Sequence, residues 1–269
     1  MRLLQGPEWE FVSRKTIAEV FEATASGETE YSVVPVENTF EGSVSLHIDW
    51  LINKVDLPIQ AEWVYPIDIN LMALPGTVDL KEIRKVYSHQ VAFAQCRKFL
   101  AEHLPHAEPE AVASTSEGAR LVKELGDPRS VAIGPATAAA RYGLNILSRA
   151  IQDHTNNYTR FVLVGHKPLP ALQPEGGGLA LQKTTILLMP GEDFPGGLHQ
   201  LLSAFAWRRL NLTKIESRPT QKKLGTYFFY LDVEAPIDSV LMQGAIEEIR
   251  AIGCDVRVMG SYPAYSFGR

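Results

Sequence analysis

The stretch "HTNNYTRFVLVG" (154–165) gathers two side-chain amides, a phenol, two threonine hydroxyls and a guanidinium directly ahead of an apolar run. Side chains of this kind hold small anions. Arginine's planar fork grips a carboxylate through two parallel hydrogen bonds, which lysine cannot reproduce, and Asn156, Asn157 and Thr159 add further donors to Arg160. A second set is Ser114 and Thr115 in "STSEGA" (114–119), which read as the cap of a helix. The first N–H groups of a helix have no partner inside it, so they are open to an anion. A third set closes the run "VVPVEN" (33–38), where a desolvated Glu37 needs partners. Asn38, Ser43 and the amides after Gly42 can supply them, which makes Glu37 an organiser of a site floor. Each residue alone has a plainer role: turn contacts for the asparagines, a surface acid for Arg160. Together, at strand ends, they predict a site for a small polyanion without naming a reaction.

The elements that would carry these groups can be read from periodicity. "RKTIAEVFEATASGE" repeats its apolar residues at helical spacing and feeds the β-rich "YSVVPVEN". "GSVSLHIDWLI" predicts a helix and "IDINLMAL" a strand. "IRKVYSHQVAFAQCRKFL" predicts a strand to Tyr87, then a helix from near His89 with Ala92, Cys96, Phe99 and Leu100 on its apolar side. "AEPEAVASTSEGARLVKEL" and "SVAIGPATAAARYGL" repeat the strand-to-helix switch, and "RFVLVG" is the last strand. Such a series predicts an α/β region, with ligands at the C-terminal ends of strands. "HKPLPALQPEGGGLALQ" is rich in proline and glycine and predicts a linker over 168–182. Beyond it the order strand, helix, strand, strand, helix, strand predicts a ferredoxin-like βαββαβ domain over 183–269, both helices on one face of an antiparallel sheet.

Composition limits the partners. A chain of 269 residues predicts more than one domain. The net charge of -5 without a long basic run argues against nucleic acid. Cys96 and Cys254 stand far apart, His89 and His154 fit no metal-ligand spacing, and no cofactor or metal is expected. No apolar stretch is long enough to cross a bilayer and no export signal is read at the start, so a cytoplasmic protein is expected.

Several of these segments resemble prephenate dehydratases: "VVPVENTFEGSV" (33–44), "YSHQVAFAQCRKFL" (87–100), "STSEGA", "IGPATAAARYGL" (133–144) and "IQDHTNNYTRFVLVG" (151–165). "PGGLHQLLSAFAWRRLNLTKIESRP" (195–219) and "GTYFFYLDVE" (225–234) extend the likeness into the C-terminal part. The resemblance implies a catalytic region over 1–167, two α/β lobes like a periplasmic ligand-binding protein with substrate in the cleft, and a C-terminal ACT domain. It implies a lyase that converts prephenate to phenylpyruvate, water and carbon dioxide in phenylalanine biosynthesis, inhibited by L-phenylalanine. The threonine of the Thr-Arg-Phe motif, here Thr159, is then the catalytic residue. Glu37, Asn38, Ser43, Gln95, Ser114, Thr115, Asn157 and Arg160 are expected to contact or support the substrate. Gly196, Gly197, Leu198, Phe205, Glu216, Ser217 and Arg218 are expected at the effector. A homodimer or homotetramer is implied as well.

The chain departs from the family pattern at its start. Relatives open with a strand and a Gly-Pro-x-Gly-Thr-Phe-like segment, whereas "QGPEWEF" (5–11) sits too close to "VVPVEN" to serve as it. An initial βα unit is therefore expected to be missing, leaving a side of the sheet exposed and the substrate site short of contacts. Two other readings stay open: a non-catalytic phenylalanine-binding regulator, and an arogenate dehydratase.

Overall fold

The structure is a computed structural model that describes residues 9–76, 79–169, 181–191, 194–221 and 224–266. Most of the expected linker and the first part of "QGPEWEF" lie outside the described residues. In chain order the elements begin with α1 (Ile17–Ala25), β1 (Ser32–Asn38), β2 (Gly42–Ser43), α2 (Ser45–Asn53) and β3 (Ile59–Pro66). Next come β4 (Asn70–Ala73), β5 (Lys85–Ser88), α3 (Gln90–Gln95), α4 (Arg97–His103), β6 (Glu108–Ala111), α5 (Thr115–Leu125), β7 (Ser130–Gly134), α6 (Ala136–Tyr142) and β8 (Asn145–Ser148). The last group is β9 (Tyr158–Val164), β10 (Leu181–Pro190), α7 (Gly197–Ala206), β11 (Leu212–Pro219), β12 (Tyr227–Val233), α8 (Val240–Ala251) and β13 (Cys254–Ser266). By contacts the chain forms two compact units, residues 1–65 with 159–269, and residues 66–158.

The first unit is built on one eight-stranded sheet in the order β11-β12-β10-β13-β3-β9-β1-β2. Its β11-β12-β10-β13 half, with α7 and α8, is the expected βαββαβ fold, antiparallel throughout. Leu201, Ala204 and Phe205 of α7 and Met242, Ala245, Ile246 and Ile249 of α8 pack on Ile186, Leu188, Leu231 and Val233, so both helices cover one face. The opposite face sends Leu187, Tyr230, Met259 and Tyr262 into a core shared with Phe21, Val34, Ile48, Leu51 and Val162. The two halves of the sheet are joined where β13 runs on from the βαββαβ half and pairs in parallel with β3, Ala264 opposite Glu62. β3 therefore has β13 on one side and β9 on the other, and neither of its edges is open. Gly260 makes this crossing possible, because a Cβ there would lie 2.3 Å from the Ile59 carbonyl oxygen.

The second unit has a five-stranded sheet, β6-β5-β7-β4-β8, in which β5 runs parallel to β6 and β7 while β4 is antiparallel to β7 and β8. Gly118 lets α5 lie directly on β5: a Cβ there would meet the Tyr87 carbonyl oxygen at 2.7 Å. The helix expected from near His89 is broken in two at Cys96, whose φ of -120° and ψ of 22° leave the helical region. All four β6 residues are exposed, as suits an edge strand with two glutamates. Among the described residues no helix is long and apolar enough to cross a membrane.

Candidate functional site

In the first unit, Asn38 and Thr159 lie opposite each other on the antiparallel pair β1 and β9, with Glu37 opposite Arg160. β2 then doubles back on β1, placing Ser43 opposite Glu37 and Gly42 opposite Asn38. The Asn38 side-chain oxygen accepts the N–H groups of Phe40 at 2.9 Å and Glu41 at 3.3 Å. Those two donors fix which end of the amide is oxygen. The amide nitrogen must then point the other way, and it donates to Thr159 Oγ1 at 2.9 Å. Thr159 is an acceptor in that contact, so its own O–H proton is left to donate to a further oxygen. The residue is only 9% exposed.

Neighbouring side chains on a strand face opposite sides of the sheet. Arg160, next to Thr159, is 8% exposed and engages three carboxylates: Glu37 at 3.0 Å, Glu62 at 3.0 Å, and Asp232. Burial works against its charge, but Asp232 and Glu62 outweigh burial and hold the guanidinium well above its usual range. Lys183 binds the other Glu62 oxygen at 2.8 Å, so two cations balance the two fully buried acids Glu62 and Asp232. Thr185 donates to Asp232 at 2.6 Å and shares a 2.6 Å hydrogen bond with the Tyr262 hydroxyl. Nη1 of Arg160 is thus shared by Glu62 and Asp232 and its Nε lies beside Glu37, while Nη2 is buried without a hydrogen-bond partner among the described residues.

Ser43 belongs to the same network. It donates to Glu216 Oε2 at 2.5 Å and accepts from Lys214 at 2.5 Å, while Lys214 also pairs with Glu37 and Glu216, each at 3.2 Å. Arg218 pairs with Glu216 at 3.3 Å and with both Asp49 oxygens, at 3.0 and 2.5 Å. Glu216 and Arg218, expected at the effector, therefore join β11 to β2 and α2, and Ser217 between them is exposed.

In the second unit Asn157, 1% exposed, donates to the Gln95 side-chain oxygen at 3.1 Å, and its carbonyl accepts from Ile67 at 2.8 Å. Ser114 caps α5, its Oγ accepting the Glu117 N–H at 3.0 Å, and Thr115 is the first helical residue. His89 is the cap of α3, its Nδ1 facing the Val91 N–H at 3.3 Å. Gln95 and Asn157 are thus brought together, and so are Ser114 and Thr115.

A cavity of about 510 Å³ lies where α7 begins, lined by Gly196, Gly197, Leu198, Phe194, Phe229 and Cys254 among others. Gly196 precedes the helix with φ +89°, a conformation that favours glycine. Phe205 does not line this cavity. It follows Leu201 by four residues, so it shares the buried side of α7 and packs in the core at 1% exposure. Burial pushes the Cys254 thiol up to about 11.

Sequence reasoning missed Glu62, Lys183, Lys214 and Asp232. The available signal was an acid set in an apolar β run, Glu62 in "IQAEWVYP" and Asp232 in "YFFYLDV".

Comparison with known proteins gives two matching family models, "Prephenate dehydratase" over residues 1–169 and "ACT domain" over 185–251. A prephenate dehydratase of Bacillus subtilis strain 168 is 43% identical over 258 residues, 95% of this chain and 90% of that one. The solved structure of prephenate dehydratase from Arthrobacter aurescens in complex with L-Phe superimposes with a TM-score of 0.79 at 34% identity, covering 93% of this chain and 80% of that one. A structure described as GqqA, a quorum-quenching acylase, gives 0.81 at 28% identity, covering 96% and 90%.

Proposed function

Because the chain belongs to the prephenate dehydratase family, we propose that it converts prephenate to phenylpyruvate, water and carbon dioxide, with L-phenylalanine as inhibitor. The observation that carries the reading is the Asn38–Thr159 contact, which turns a buried hydroxyl into an oriented donor. In the reaction the bond from the ring to its carboxylate breaks and leaves carbon dioxide. The electron pair moves into the ring, and the ring hydroxyl departs with one added proton as water. The ring becomes aromatic and no oxidant or reductant is consumed.

The protein must supply a strong hydrogen bond or proton to the leaving oxygen. Thr159 has the right proton, and its high intrinsic pKa means that placement and polarisation carry most of the effect. General acid assistance of this kind is worth roughly 10²–10⁴-fold. Asn38 orients the hydroxyl. In the second unit Ser114, Thr115, Gln95 and Asn157 offer hydroxyl, amide and helix N–H groups suited to a substrate carboxylate. Glu37, Ser43 and Arg160 support the strands that carry Asn38 and Thr159.

The effector is assigned to the cavity at Gly196, Gly197 and Leu198, where the first N–H groups of α7 suit its carboxylate and Phe194 and Phe229 its ring. Glu216, Ser217 and Arg218 act there through β11. ACT domains pair across subunits, so a homodimer or homotetramer in the cytoplasm is the working assembly.

Mixing the purified chain with prephenate and following phenylpyruvate tests the reading. Turnover that L-phenylalanine suppresses is expected. Absence of turnover with intact L-phenylalanine binding would favour a regulator without catalysis, and faster turnover of arogenate would reassign the substrate.

A further inference from the structure

Thr159 and Arg160 are consecutive on β9, and Asn38 and Glu37 are consecutive on β1. The ladder therefore has a reacting side, Asn38 with Thr159, and a back side, Glu37 with Arg160. Of the groups that grip the back side, Glu62 belongs to the catalytic region, but Asp232 on β12 and Lys214 on β11 belong to the ACT domain. Lys214 also reaches Ser43, the residue opposite Glu37 on β2. Fully buried carboxylates do not drift: Asp232 is 0% exposed and pinned by Thr185, so any displacement of β12 is passed to the guanidinium it holds.

We propose that Asp232 and Lys214 are positioning residues for Thr159, acting through Arg160 and Glu37, so that the ACT domain sets the geometry of the reacting hydroxyl by charge on the back of β1 and β9. This rests on the reading of Thr159 as the reacting group. It gives effector binding a physical route: a shift of β11 or β12 loosens or tightens the back side, and the Asn38–Thr159 contact follows.

The test compares wild type, Asp232→Asn, Lys214→Met and the double variant Arg160→Met/Asp232→Leu. The double change removes one charge of each sign and leaves Glu62 with Lys183 and Glu37 with Lys214. Exchanging a buried ion pair for apolar groups of similar size is often neutral to stability. Hydrogen exchange of residues 158–161 should quicken in Asp232→Asn. With prephenate, kcat should fall about tenfold while KM stays within about twofold. The double variant should melt close to wild type yet keep the low kcat. Recovery of kcat together with stability in the double variant would overturn the proposal, because the network would then serve folding alone. So would unchanged exchange at 158–161. Should Asp232→Asn fail to fold, Lys214→Met, which keeps the side-chain stem, provides the same exchange and kcat comparison. A wild-type chain without turnover counts against the activity, while the exchange comparison still decides the positioning role.

Discussion

The polar groups of the two units are held in place by different forces. In the first unit Glu37, Ser43 and Arg160 sit in a lattice of full charges, much of it buried, that spans β10, β11 and β12 of the C-terminal domain together with β1, β3 and β9. In the second unit Gln95, Asn157, Ser114 and Thr115 are fixed by neutral amide contacts and a helix cap. Neutral hydrogen bonds contribute about 1 kcal/mol each and fail locally. Buried charges fail collectively, since removal of one leaves its partner uncompensated. The charged unit should therefore respond to distant substitutions, and the neutral one only to substitutions in place.

Glu62→Ala should show the largest effect on this contrast, because it strips a partner from both Arg160 and Lys183. A loss of about 3–5 kcal/mol in denaturant unfolding is expected. A loss below about 1 kcal/mol would erase the distinction. Gly118→Ala probes close packing in the neutral unit, where the new methyl would press on the Tyr87 carbonyl. The expected cost is about 1–3 kcal/mol, read from the same unfolding curves. Ser114→Ala should cost only about 1 kcal/mol, the worth of one cap, without altering the first unit's hydrogen exchange.

The smallest expected effect is on pH dependence. Burial lowers the His47 pKa, against a weaker opposing contribution from its 2.6 Å hydrogen bond to the Pro35 carbonyl. With the folded value below the unfolded one, about 6.5, the unfolded chain holds more protons in the window between them. The stabilisation is complete above pH ~6.5 and is lost as pH falls through the folded value. Denaturation midpoints of wild type and His47→Gln should converge as pH drops from 7.5 to 5.5; parallel curves would rule this out.

Local pattern made much of the fold legible. The βαββαβ order, the cap at Ser114 and the strands "VVPVEN" and "RFVLVG" follow from periodicity and turn chemistry that neighbouring residues express. β3 was harder, because Glu62 interrupts its apolar pattern. Its partners Arg160 and Lys183 lie 98 and 121 residues away, beyond anything spacing can show. Arg160 illustrates the limit best: its residue type suits a ligand carboxylate, and only the fold reveals that acids from β1, β3 and β12 already hold it. Phe205 was the opposite case, since its helical phase with Leu201 already marks it as core.

Steady-state turnover of prephenate by Thr159→Val, set beside wild type and Thr159→Ser, bears most directly on the role given to the hydroxyl. Valine keeps the size and removes the donor. The account predicts kcat lower by roughly 10²–10⁴-fold in Thr159→Val, a KM within severalfold of wild type, and partial activity in Thr159→Ser. A Thr159→Val enzyme that folds normally and turns over prephenate at the wild-type rate would contradict it.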